Sequence, residues 1–409
     1  MTFLQALRSC WALFASFTIL VLGHGLLNSL LGVKLTLAGY TTDVAGLVLA
    51  GFFVGIVTGA LLSPRLVQRV GHIRVFAAMA GLASVAALVH AALLDPWLWG
   101  AMRALAGFAL TSMYVVVESW VNDRAQNTFR GRLLAVYMIL WLISMAAGQL
   151  LIDVADPAGS SHFLLIAGFF SACVVPLALA TQSAPDYSSP ARVPLFALWR
   201  IAPLATVAAA MVGLIHGTLV GMASVYAQSA DYSTREVALF TAAIYVGGIV
   251  LQLPIGRLAD RVERRLVLAG ITLAAAGAAL LALWLSERSF AGLLAATALL
   301  GGLCLPFYSL TLAIANDRLS QNQMVGASAT IYLLVGIGAI AGPPIAGLVM
   351  ERVGTGGFFL YLAATQAALG LFALYRRTRT APAPESCAAD PVAPGVPPPT
   401  EAQAGSATQ

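Results

Sequence analysis

Two charges sit where charge is expensive. The apolar run from Trp97 to Asn122 carries Arg103 and Glu118, and a charged side chain at mid-bilayer costs about 2.5–3.5 kcal/mol on insertion scales. At ~100° per residue, Arg103 and Tyr114 fall nearly in register on one helix face, with Glu118 about 60° away. At 1.5 Å rise per residue, Arg103 and Glu118 are roughly 22 Å apart along the axis. They are too distant to pair, and they can mark two levels of one water-filled path, Arg103 toward the outside and Glu118 near the cytoplasmic mouth. Glu118 has a second reading as a helix-end carboxylate paired with Arg130 or Arg132. For Arg103 the alternative is snorkelling of its long side chain to the outer interface.

Other groups able to hold a solute or a proton are spread over several apolar runs. His24 and Asn28 form an i, i+4 pair on one helix face, with Lys34 toward the outer end and His216 in a matching run of the second half of the chain. A lone histidine in such a run is commonly satisfied by a nearby backbone group. Two at equivalent places can instead face one another across a central cavity, or simply record duplication. Tyr114 and Tyr308 form another matched pair, joined by Tyr137, Trp141, Tyr226 and Tyr332. Aromatic rings in spans are usually packing or belt residues, and these are also candidates for solute contact. Cys10, Cys173, Cys304 and Cys387 are scattered, which argues against a disulfide framework or a structural metal. HExxH, GxSxG and GxxxxGK[ST] patterns are missing, so neither a cofactor, a hydrolytic enzyme nor ATP as fuel is expected.

The elements that position these residues follow from composition. The chain has 409 residues, 60% hydrophobic and 10% charged, with a mean hydropathy of +0.88. A soluble globular chain has about 25% charged residues, so this one is a polytopic membrane protein that spends its length in the bilayer. A spanning helix needs about 20 apolar residues. Pro, Gly and charged clusters divide the chain into twelve such segments, beginning near Cys10, Val44, Ile73, Trp97, Arg130, His162, Ile201, Arg235, Leu266, Ser289, Met324 and Gly357. The first is read as an uncleaved span rather than a signal peptide, having no small-residue cleavage site.

The net charge of +5 points to topology rather than to nucleic acid. An even number of spans puts both termini on one side. That side carries Arg8, Arg65, Arg69, Arg74, Arg124, Arg130, Arg132, Arg192, Arg200, Arg257, Arg261, Arg264, Arg265, Arg318, Arg376, Arg377 and Arg379, 17 of the 22 basic residues, and is therefore expected to be cytoplasmic. One Lys against 21 Arg, with abundant Ala, fits a GC-rich bacterial genome and hence a bacterial inner membrane. Residues 182–200 are Pro- and Ser-rich and read as a cytoplasmic linker. Residues 377–409 hold almost no large apolar side chain and read as a disordered tail.

Internal repetition sets the architecture. Sliding the second half over the first by 192 positions superposes His24 on His216, Tyr40 on Tyr232, Gly55 on Gly247, and Leu66, Arg69 and Val70 on Leu258, Arg261 and Val262. Beyond a two-residue indel, at 194, Gly107 meets Gly301, Tyr114 meets Tyr308, and Asn122-Asp123-Arg124 meets Asn316-Asp317-Arg318. Six spans separate the copies, so the repeat is parallel, an arrangement found in one large class of secondary transporters. The division expected is 1–181 and 201–376 for the two six-helix halves.

The loop after span eight, Gly256-Arg257-Leu258-Ala259-Asp260-Arg261-Val262-Glu263-Arg264-Arg265, resembles the G-x-L-a-D-R-x-G-R-R signature of the major facilitator superfamily, with Glu263 in place of the second Gly. Its counterpart after span two runs from Pro64 through Arg65, Arg69, Gly71 and Arg74, keeping that Gly and placing Gln68 where the acid belongs. Arg103-Ala104-Leu105-Ala106-Gly107 is similar to the family's span-four R-x-x-q-G motif. Span five reads Met145-Ala146-Ala147-Gly148-Gln149, without the G-x-x-x-G-P-x-x-G-G pattern of antiporters. The resemblance implies an all-α fold of twelve transmembrane helices in two parallel six-helix repeats, and a monomeric secondary transporter for a small-molecule substrate. It also implies that Arg65, Arg69, Gly71, Arg74, Gly256, Asp260, Arg261, Arg264 and Arg265 form gate loops, in which Asp260 with Arg261, Arg264 and Arg265 bonds neighbouring helix ends and holds one conformer closed; a topological reading, in which these arginines only enforce the cytoplasmic side, accounts for the charge count but not for Gly256 and Asp260 at their motif positions. Glu118, His24 and His216 can titrate, which favours protons as the coupling partner. A membrane-embedded sensor or enzyme is the alternative.

Overall fold

A computed structural model of the chain describes residues 7, 10–124, 130–179, 194–319 and 321–379. Every regular element among them is helical. Twelve helices are long and apolar enough to cross a membrane. Spans one to six are Trp11–Leu37, Thr42–Val70, His72–Ala92, Pro96–Asp123, Arg132–Val154 and Ser161–Ala178; spans seven to twelve are Pro203–Ser229, Thr234–Arg261, Arg264–Ser286, Phe290–Asn316, Gly326–Val353 and Gly357–Arg379. Each starts within a few residues of the position its flanking Pro, Gly or charge predicts.

Local chemistry explains several ends. Span eight starts at a capping box: Ser233 Oγ accepts from the Glu236 amide, and Glu236 Oε2 accepts from the Ser233 amide at 2.9 Å. Gly71, at the sharp turn between spans two and three, has φ +89°, a conformation that L side chains rarely adopt. Span ten is interrupted between Cys304 and Phe307, around Pro306, which has no amide hydrogen for the ladder. Of the expected linker, residues 182–193 lie outside the described residues, while Leu195–Ile201 at its end forms a short helix. The last span runs to Arg379; residues 380–409, most of the expected tail, also lie outside the described residues.

Helices in lipid gain little from hydrophobic burial against one another, so close packing at small residues has to hold them. The repeat appears here atom for atom. A Cβ on Gly55 would meet the Ala104 carbonyl and the Phe108 amide; one on Gly247 would meet the Ala298 carbonyl and the Gly302 amide. Gly148 abuts the Leu22 carbonyl and Leu26 amide, and Gly342 abuts the Leu214 carbonyl and Thr218 amide. Spans two and four, eight and ten, one and five, seven and eleven are therefore locked by matched glycine contacts. The offsets of 192 and 194 read from the sequence carry one into the other.

The two halves meet mainly at one end of the bundle, the end away from the termini. There Thr42 Oγ1 donates to the Gly347 carbonyl at 2.9 Å, Ser29 and Thr241 hydroxyls bond at 3.2 Å, and Gly46 backs onto the Pro343 carbonyl. These contacts join spans two and eleven and spans one and eight; spans one and seven, and five and eight, also pack across the halves, whereas spans four and ten are not a packed pair.

Candidate functional site

The structure gathers the charged and aromatic candidates of spans one, four and five into one line. Arg103 is wholly buried. Its Nη2 donates to Asn28 Oδ1 at 3.3 Å, and its guanidinium lies 4.5 Å above the Phe52 ring centroid, an attractive cation–π geometry. Nε and Nη1 have no partner. Snorkelling is thus not what the side chain does: it stays inside, held by an amide and a ring.

Asn28 faces two ways. While its Oδ1 receives Arg103, its Nδ2 donates to the Val220 carbonyl of span seven at 2.8 Å. Val220 is the residue that the 192-position repeat pairs with Asn28. Four residues on, a Cβ at Gly32 would collide with Ser224 Oγ, again its repeat partner. Residues that contact their own repeat equivalents lie on the pseudo-twofold axis, so spans one and seven cross there.

One turn toward the termini, His24 Nδ1 bonds the Tyr114 hydroxyl at 2.7 Å, and His24 Nε2 is buried without a partner. Trp141 reaches the same hydroxyl. Phe17 stacks on Tyr137 at 4.5 Å and meets Tyr114 edge-on at 5.9 Å. The line ends at Glu118, whose Oε1 accepts from the Tyr137 hydroxyl at 3.0 Å. Glu118 is exposed, and Tyr308 and Tyr332 of the second half, themselves edge to face at 6.2 Å, stand within reach of its charge. The carboxylate is therefore satisfied by a tyrosine rather than by Arg132; the Arg130 side chain lies outside the described residues.

Other candidates are placed elsewhere. His24 and His216 do not face one another: His216 Nε2 bonds the Cys304 carbonyl at 2.8 Å, where span ten is interrupted, and its ring stacks on Phe307. The break in span ten has no counterpart in span four, so a duplicated histidine found a different acceptor. Tyr226 does not line this path either. It is 2% exposed and boxed in by Phe240, Phe358 and Phe359, a cluster whose apolar area is best kept together. Lys34 caps the far end by donating to the Ala158 carbonyl.

At the termini end, part of the arginine-rich loop after span eight is tied to neighbouring helix ends. Arg264 pairs with Asp317 at the foot of span ten, and Arg377 pairs with Glu263 at 2.9 Å. No ion pair of Asp260, Arg65, Arg69, Arg74 or Arg261 occurs among the described residues. Sequence reasoning missed Tyr137 as the partner of Glu118, Phe52 as the platform of Arg103, and Tyr245, which meets Trp141 across spans eight and five at 5.8 Å. For the Asn28–Val220 contact a signal existed, since any polar group near the axis must meet its own repeat equivalent.

Comparison with known proteins adds an independent line. The profile described as Major Facilitator Superfamily matches residues 13–246 and again 205–400. The chain is similar to the "Uncharacterized MFS-type transporter YcaD" of Escherichia coli O45:K1 (strain S88 / ExPEC), 26% identical over 360 residues, covering 87% of this chain and 92% of that protein. It is 28% identical to the "Uncharacterized MFS-type transporter Ent638_1421" of Enterobacter sp. (strain 638), over 92% of this chain and 98% of the relative. The fold is similar to the crystal structure of the nucleoside transporter NupG, with a TM-score of 0.75 at 12% identity over 90% of this chain and 98% of that one.

Proposed function

Because the chain belongs to the major facilitator superfamily and is a transmembrane transporter rather than an enzyme, we propose that it moves a small organic solute by alternating access. Its two six-helix halves, residues 1–181 and 201–376, rock about the line from Arg103 to Glu118, and a proton carried by Glu118 supplies the drive. The end bearing the termini, rich in arginine, faces the cytoplasm of a bacterial cell.

The observation that carries this reading is the asymmetry of the seam. Cross-half bonds from Asn28, Ser29 and Thr42 close the end away from the termini, while Glu118, at the other end of the same polar line, is exposed. Such a chain reads as one of two conformers, open to the cytoplasm. In the other, Arg103 and His24 would be uncovered and Glu118 enclosed. Asp260 fits the same scheme: unpaired while the cytoplasmic end is open, it has a charge free to bind a helix end when that side closes.

Solute flux tests it. Purified protein is screened for solutes that raise its melting temperature, since a ligand stabilises by RT ln(1 + [L]/Kd). Hits are then measured as labelled solutes in proteoliposomes with and without a pH gradient. Saturable uptake enhanced by the gradient is the expected result; a stabilising solute that never crosses the membrane would refute transport, and uptake indifferent to pH would refute proton coupling.

A further inference from the structure

Arg103 is a buried cation without a counter-charge. No carboxylate among the described residues stands within reach of its guanidinium, and Glu118 on the same helix is roughly 22 Å away along the axis. Its neighbours are Asn28 Oδ1 and the Phe52 ring, neither of which carries charge. Lys34 shows the contrast: it bonds the Ala158 carbonyl, lies 5.2 Å above the Phe163 ring and feels the charge of Asp156. Buried charges in proteins are paired, because one left alone in an apolar interior costs more than a neutral hydrogen bond returns. An unpaired arginine kept inside a span calls for a partner that comes and goes.

The unused atoms say what that partner is. Arg103 Nε and Nη1 have no acceptor, and they belong to a planar fork that matches a carboxylate. His24 lies against the same ring, its centroid 5.1 Å from that of Phe52. The Trp141 indole nitrogen can only donate, so the Tyr114 hydroxyl accepts from it and gives its own proton to His24 Nδ1. That polarity puts the imidazole proton on Nε2, which is buried with no partner. The open groups of Arg103 and His24 beside Phe52 are thus all donors, and the ligand must bring acceptors and a negative charge. One guanidinium offsets one such charge, which fits a monocarboxylate and not a phosphate dianion. The rings of Phe52, Tyr114 and Trp141 offer apolar faces to the rest of the molecule.

Resting on the transporter reading above, we propose that the solute is an organic monocarboxylate, its carboxylate held by Arg103 and His24 Nε2 and its body by the rings of Phe52, Tyr114 and Trp141. Arg103 is wholly buried and His24 is 5% exposed in this conformer, so the acid binds as the seam at Asn28 and Val220 parts.

The test uses the full-length protein in detergent. Melting temperature is recorded with benzoate, phenylacetate and hexanoate, with their primary amides, and with sodium chloride. At least one acid should raise it saturably while its amide and chloride do not. Arg103→Gln should weaken that binding at least about tenfold, and Arg103→Lys should weaken it as well, because the charge stays but the fork is lost. Arg352→Gln, at the outer end of span eleven, should not. Without ligand, Arg103→Gln should melt no lower than the wild type, since it removes an uncompensated charge; a lower value would make the arginine structural and overturn the proposal. Equal stabilisation by acid and amide, an undiminished response in Arg103→Gln, full stabilisation by chloride, or no response to any acid would overturn it too. An acid that binds through Arg103 but never enters proteoliposomes would refute transport and leave the site standing, whereas a neutral solute carried equally well by the wild type and Arg103→Gln would do the reverse.

Discussion

Asn28 is the most direct handle on the seam, because one small side chain bonds both Arg103 and the opposite half. Asn28→Ala removes the Nδ2 donor to Val220 at 2.8 Å together with the acceptor of Arg103 at 3.3 Å. The two losses act differently. A hydrogen bond between helices in a membrane is worth about 0.6 kcal/mol on average and up to about 1.7, and only the bond to Val220 distinguishes the closed seam from an open one. At 1.4 kcal/mol per tenfold, the closed conformer should lose roughly threefold to fifteenfold in population relative to the open one. Arg103 and Asn28 move with the same half, so their bond affects stability rather than the conformer ratio. Asn28→Asp separates the two, since it keeps an acceptor for Arg103 while losing the donor to Val220. Spin labels on Ala38 and Ala230, at the far ends of spans one and seven, report the opening as a distance distribution. Both variants should enlarge the long-distance population; Asn28→Ala should also lower the melting temperature, and Asn28→Asp much less. If Asn28→Asp restores the wild-type distribution, or neither variant changes it, the seam is not held by this bond.

Three further outcomes follow from the same geometry. Glu118→Gln keeps the hydrogen bond with Tyr137 but fixes the neutral state, so pH-driven accumulation should fall to the level of passive equilibration while exchange between equal pools continues; preserved accumulation in vesicles would return Glu118 to a structural role. Asp260→Asn should slow transport severalfold without reducing the amount of folded, inserted protein, and Gln68→Ala should be near neutral, compared by initial rates normalised to protein; equal effects would remove the gate role. Gly247→Ala forces a Cβ into the Ala298 carbonyl and should cost about 1–3 kcal/mol or more, whereas Gly256→Ala meets nothing and should gain up to about 1 kcal/mol from helix propensity; melting curves that rank them the other way would contradict the packing described for spans eight and ten.

The sequence alone determined the number of spans, their approximate limits and the parallel repeat, because these depend on quantities written along the chain: runs of about 20 apolar residues broken by Pro, Gly or charge, and a fixed offset between copies. It also singled out Arg103 and Glu118, since a charge inside an apolar run is costly wherever the helix is placed. What the chain could not state is which partner each group takes. His24 and His216 are equivalent in the repeat, yet one bonds a tyrosine and the other a carbonyl beside the interruption in span ten. Tyr226 and Tyr114 read alike as rings in spans, but one is packed among phenylalanines and the other meets a histidine. Glu118 had arginine candidates nearby in sequence and found Tyr137 on the neighbouring span. Periodicity gives the direction of a side chain around its own helix axis. The rotation and crossing point of the neighbouring helix decide what it meets, and in this protein those are set by glycine contacts between segments about 50 to 130 residues apart.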